Sequence, residues 1–185
     1  EAAWPPSRWS LAPSLAVFAM RGLDGPMALV PLLELALRYR ARSALELELA
    51  IRHGRPRLEG QFNAGDTDAA TAAEHVTLAV RRRIRTDGQT SWFAGAGAGV
   101  ARAAHTIGGT FESPDEELRP LVLAGAGTER RYRRALSLRA ELGLMVMFPS
   151  SYSGGHGGGS LTIEHFRQAD YLLLVGATAG AAYHF

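Results

Sequence analysis

Eight charged residues stand where they could act as one group: Glu34, Arg38, Glu46, Glu48, Arg81, Arg83, Arg139 and Glu141. The signs balance, four carboxylates against four guanidiniums. Held out of water, such a set is either a salt-bridged plug that satisfies itself or a charged path for ions. Buried charges demand partners, so the balanced count favours the plug. Ser150, Ser151, Ser153, His156, Glu164 and His165 share one long segment. These are hydrolase residue types, yet their spacing shows no ordered nucleophile, base and orienting acid, and loop polarity accounts for them. His53, His75 and His105 fall at the ends of three apolar runs and could ligate a metal. A lone His at a strand end is the commoner case, and Asp66-Thr-Asp68 is too short for a calcium loop. With no Cys in the chain, thiolate zinc sites, disulfides and cysteine catalysis are out. No catalytic residue, metal or cofactor is assigned from the sequence.

What positions the charged set is a period of two. Leu29, Pro31, Leu33, Leu35, Leu37 and Tyr39 alternate with Val30, Leu32, Glu34, Ala36 and Arg38. After Arg40–Ser43, Leu45, Leu47, Leu49 and Ile51 alternate with Glu46, Glu48, Ala50 and Arg52. Leu, Ala, Glu and Arg are good helix formers, so the helix needs testing. On a helix Leu33, Leu35 and Leu37 would sit about 200° apart in succession and leave no apolar stripe. Alternation wins, and the segment is strand. The same rhythm runs through Leu11–Val17, Val76–Val80, Trp92–Val100, Leu136–Phe148 and Tyr171–Phe185, with Arg81, Arg83 and Arg85 continuing the polar side of the Val76–Val80 strand. Pro120–Tyr132 is a weaker strand whose facing the pattern does not fix. The result is about eight strands, joined alternately by short connections and by long ones rich in Gly, Pro, Asp and Ser. The long ones are Arg21–Pro26, His53–His75, Thr106–Arg119 and Pro149–Asp170.

A soluble antiparallel sheet buries its apolar face and wets the polar one. Here the apolar face is Leu on nearly every strand, and the other face holds opposed charges and glycines. A closed barrel, apolar outside and polar inside, fits better, because in lipid every backbone group must pair and closure removes the edges. A soluble sandwich or calycin-like protein is the competing reading. With the short connections and the N-terminus on one side, Trp9, Tyr39, Trp92, Tyr132, Tyr183 and Phe185 gather at that end, as an interfacial aromatic belt does. Phe148 and Tyr171 begin the opposite belt. Toward that opposite end Phe18, Met20, Val30, Leu32, Met145, Met147, Leu172 and Leu174 face inward, and Gly95, Gly97 and Gly99 leave room across from them. This apolar cup could hold an acyl chain or other small apolar ligand; a plain hydrophobic core is the alternative.

Composition sets the outer bounds. In 185 residues, 46% apolar and 21% charged, wholesale disorder is excluded, and the longest apolar run is too short for a spanning helix. All 20 cations are Arg, a codon bias more than a basic surface; at a formal charge of +2, with no basic stretch interleaved with aromatics, nucleic acid is not a partner.

From Trp9 to Phe185 the chain resembles the small eight-stranded outer-membrane barrels of Gram-negative bacteria, of the OmpA/OmpX/OmpW type. The resemblance rests on this architecture and on the final alternation Ala177, Ala179, Ala181, Tyr183, Phe185, with Ala where that family carries bulkier residues. It implies an all-β, eight-stranded antiparallel up-and-down transmembrane barrel, one domain over 1–185 with a short periplasmic segment at 1–8, in the bacterial outer membrane. It also implies partners: outer-membrane lipid, and the barrel assembly machinery reading the last strand. The start Glu1-Ala-Ala-Trp looks like a mature chain after removal of an export signal. The expected role is structural or interactive, presenting loops outside the cell over a charge-plugged lumen. The alternatives are a carrier or receptor for a small apolar ligand, a barrel anchoring an envelope protein partner, and a lipid-modifying enzyme.

Overall fold

The computed structural model describes residues 8–21, 28–54, 57–58, 69–106, 117–148 and 172–185. Strands β1 (Trp9–Arg21), β2 (Ala28–Arg42), β3 (Leu45–Gly54), β4 (Arg57–Leu58), β5 (Ala69–Asp87), β6 (Thr90–Thr106), β7 (Glu117–Arg133), β8 (Leu136–Met147) and β9 (Leu172–His184) follow one another, with no helix among the described residues. Their order is β3-β2-β1-β9-β8-β7-β6-β5, every pairing antiparallel, and β3 pairs back onto β5. The sheet therefore closes into a barrel of eight long strands and leaves no open edge between them. The two residues of β4 add pairing along β5, Arg57 opposite Ala70 and Leu58 opposite Ala69.

Closure follows from the alternation. The large side chains Leu33, Leu35, Leu78, Leu138, Leu142 and Val175 point outward and are exposed, Leu142 at 72%. Their neighbours Ala36, Glu34, Ala79, Thr77, Arg139 and Leu174 point inward and are buried. An exterior of Leu and Val around a charged interior is the inverse of a soluble protein and suits lipid. The strand at Pro120–Tyr132 takes a definite facing: Leu118, Val122 and Tyr132 are exposed, while Leu121 and Glu129 are buried.

Turns of two residues, Ser43–Ala44, Gly88–Gln89 and Arg134–Ala135, join β2 to β3, β5 to β6 and β7 to β8. Gly88 takes φ 56°, the left-handed region open to glycine without a Cβ penalty. Each turn is tied to the next hairpin: the carbonyls of Ala44, Gln89 and Ala135 accept from the amides of Arg83, Arg131 and His184, all at 2.8 Å. At this end lie Trp9, Trp92, Tyr132, Tyr183 and Phe185, all exposed, with half-buried Tyr39 packed on Trp9 at a centroid distance of 4.7 Å.

Two details depart from the sequence expectations. The connection read as His53–His75 is shorter, since β3 runs to Gly54 and β5 begins at Ala69. Arg85 does not continue the polar face: a register shift between Arg83 and Arg85 places it opposite outward Trp92. Tyr171 and the serines and histidines at 150–165, with Asp66 and Asp68, lie outside the described residues.

Candidate functional site

The lumen at the short-turn half is filled by charge. Glu48 on β3 is fully buried and central. Arg38 Nε on β2 reaches its Oε2 at 2.7 Å, and Arg81 Nη2 on β5 reaches its Oε1 at 2.5 Å. Arg81 Nη1 extends to Glu141 Oε2 on β8 at 2.6 Å. Arg139 closes the set, 3.3 Å from Glu141, 3.4 Å from Glu46 and 3.9 Å from Glu48, while Arg38 also stands 3.9 Å from Glu46. Three arginines thus meet three glutamates across four strands, and the charges cancel. Phe93 of β6 completes the layer, with the guanidinium carbon of Arg139 3.7 Å from its ring centroid and that of Arg81 5.4 Å.

The other two members of the expected set lie apart. Glu34 pairs with Arg52 Nε at 2.6 Å, farther from the short turns, and Arg52 Nη1 donates to Thr77 Oγ1 at 3.1 Å. Arg83 sits at the barrel mouth, where Nη1 donates to the Ser43 carbonyl at 3.2 Å. It borders a small recess that also touches Arg40, Arg42, Glu46, Ser91 and Glu129. Arg52 was open to inference, since alternation puts it on the face of Glu46 and Glu48. Phe93 carried a weaker signal, an aromatic at an inward position otherwise held by glycines.

Glycines make this packing fit. A Cβ on Gly127 would run into the Phe93 ring and the Glu141 backbone, and one on Gly125 into the Glu141 carboxylate. The same test corrects the expectation for Gly95, Gly97 and Gly99. A Cβ there would strike the Val80, Leu78 and Val76 carbonyls of β5, so the positions are closed to a side chain on their own side of the lumen. These glycines serve the close approach of β5 and β6.

Of the expected cup residues, Phe18, Val30, Leu32, Met145, Met147 and Leu174 pack into one buried cluster with Ala16, Ala101 and Leu121, and half-buried Leu123 lies against it. The side chains of Met20 and Leu172 lie outside the described residues.

A third group was not legible in the sequence. Ser137 Oγ of β8 donates to Glu129 Oε1 of β7 at 2.5 Å and lies 2.8 Å from His184 Nε2 of β9. Serine, histidine and glutamate here do not form a relay, because Glu129 approaches the same Nε2, at 3.4 Å, that faces the serine. Ser137 is also fully buried. The three-histidine metal reading fails on facing: His53 points outward, 3.4 Å from Glu74, while His75 is buried inside. The His105 side chain lies outside the described residues.

No family model matches the sequence, and no curated protein matches it. Solved structures do resemble the fold. Neisserial surface protein A superposes with a TM-score of 0.73 at 13% identity, over 97% of this chain and 98% of that one. Ail, the attachment invasion locus protein of Yersinia pestis, gives 0.61 at 16% identity over 97% and 99%. The outer membrane enzyme PagL gives 0.53 at 18% identity over 91% and 97%. At these identities the likeness is one of fold, and the fold is that of the small eight-stranded outer-membrane barrels.

Proposed function

We propose that the chain is a monomeric, non-enzymatic outer-membrane barrel with a sealed lumen, whose work is structural and interactive, done by the long connections opposite the short turns. The observation that carries this is the filled cross-section. A neutral layer of three arginines and three glutamates, capped by Phe93, lies below a buried apolar cluster, inside an exterior made of Leu and Val. Eight strands leave an interior that side chains just fill. In this reading the assembly machinery takes the chain through β9 and the residue after it, where the Tyr183 and Phe185 rings lie exposed 6.4 Å apart, and an envelope protein is the partner of the long connections.

Planar-bilayer recording tests the seal. The folded protein is expected to give no steady open channel; regular porin-like steps from the unmodified chain would contradict it. PagL is an outer membrane enzyme of this fold, so the non-enzymatic reading needs its own test, and the buried Ser137 beside His184 makes ester hydrolysis by the purified barrel the assay. No turnover that Ser137→Ala removes is expected, since Ser137 has no path to substrate.

A further inference from the structure

The short turns share a device. At each, a register shift falls between two arginines: Arg40 and Arg42, Arg83 and Arg85, Arg131 and Arg133. Strict alternation would send both members of a pair to one face. The inserted residue (Ala41, Ile84 or Tyr132) divides them instead. Before the shift, Arg40, Arg83 and Arg131 stand opposite Glu46, Phe93 and Ser137, on the inner face. After it, Arg42, Arg85 and Arg133 stand opposite Leu45, Trp92 and Leu136, on the outer face. Arg82 and Arg130 reach the outer face by ordinary alternation, opposite Ala94 and Leu138. All five outer arginines are exposed.

These five guanidiniums lie at the level of the aromatic belt. Arg85 is paired in register with Trp92, and the Arg133 guanidinium carbon lies 5.7 Å from the Tyr132 ring centroid. Belt rings settle among lipid headgroups, so the arginines beside them stand at phosphate depth. A guanidinium presents paired N–H donors that match two phosphate oxygens. A zwitterionic headgroup offers phosphate with its charge cancelled; an anionic one leaves it uncancelled. Among the described residues, the exposed acid accompanying the collar is Asp87, 3.9 Å from Arg85. The five face sideways from the barrel wall, toward lipid, which favours a lipid over a soluble polyanion.

We propose that this collar binds anionic phospholipid headgroups, of the phosphatidylglycerol kind, in the leaflet that meets the short turns. The inference rests on the membrane reading above. The test uses the full chain with Trp4→Phe and Trp9→Phe, so that Trp92 alone reports. It is folded into phosphatidylcholine vesicles containing equal small fractions of either brominated phosphatidylglycerol or brominated phosphatidylcholine. Folding is checked by heat-dependent gel mobility. Quenching of Trp92 should show a preference for the anionic lipid of about fivefold, equivalent to about 1 kcal/mol. The preference should fade in high salt, vanish when Arg42, Arg82, Arg85, Arg130 and Arg133 are changed to Gln, and return only in part when they are changed to Lys, which keeps the charge without the paired donors. Equal quenching by the two lipids around folded protein would overturn the collar and leave the barrel reading standing. So would a preference that soluble polyglutamate removes beyond the effect of sodium chloride at the same ionic strength. Failure to enter any vesicle would overturn the membrane reading, and the collar with it. If the Gln variant does not fold, the lipid and salt arms on the unvaried arginines still decide.

Discussion

Glu48 holds the charge balance of the lumen, because Arg38, Arg81 and Arg139 all converge on it. Removing one partner of a buried ionic group leaves uncompensated charge and costs about 3–5 kcal/mol. Glu48→Ala is expected to destabilise the barrel by that amount in urea unfolding from vesicles. Glu46→Ala should cost less, since Glu46 is partly exposed and its contacts are 3.4 and 3.9 Å long. Without Glu48, Arg38 keeps only its 3.9 Å contact to Glu46, while Arg81 keeps Glu141 and Arg139 keeps Glu141 and Glu46. Alternation placed Glu34, Arg38, Glu48, Arg81 and Arg139 inward, though it also counted Arg85 on that face and left Glu129 out. It did not say which meet, because that depends on the stagger of strands around the barrel. Glu34 thus finds Arg52 rather than Arg38, and Ser137 finds Glu129 and His184 from two flanking strands.

The strands set depth, and depth sets the cost of change on the outer face. Leu47 is paired with Tyr39, and Tyr39 with Trp9, so Leu47 lies at the belt. Ile51 is four residues farther along β3, roughly 10 Å deeper at the usual rise and tilt. Ile51→Arg should therefore cost about 2–4 kcal/mol in vesicles, and Leu47→Arg about 0–1 kcal/mol. Equal costs would place the membrane elsewhere. Gly97→Leu should also destabilise, by about 1–3 kcal/mol or more, since its Cβ would press on the Leu78 carbonyl and on Ala79. Retained stability there, measured by the same unfolding, would mean that β5 and β6 separate easily. The strands themselves were legible because a period of two is hard to mistake over ten residues. The bulges were not: Arg83 and Arg85 have the same parity, and a one-residue insertion leaves no mark in the spacing.

At the scale of the whole molecule, the exterior decides where the protein can exist. Leu33, Leu142, Ile84, Val175 and the other exposed apolar side chains cover a wall that water would not tolerate as a monomer. The barrel is expected to need detergent or lipid to remain folded, read by heat-dependent gel mobility. That wall was legible from composition and alternation together, and so was closure into eight strands. The lumen's contents were legible only as a list, because which glycine makes space for which ring is a property of the closed barrel. One measurement tests barrel, bilayer and seal at once. The chain lacks Cys, so single cysteines can be placed along β3 from Leu45 to Arg52, spin-labelled, and exposed in vesicles to oxygen and to a water-soluble nickel chelate. The account predicts that labels at Leu49 and Ile51 respond to oxygen, while labels at Ala50 and Arg52 respond weakly to both agents, in strict alternation. Strong access of the nickel chelate to the inner positions would show an open pore, and to the outer positions a soluble protein; either would contradict the sealed transmembrane barrel.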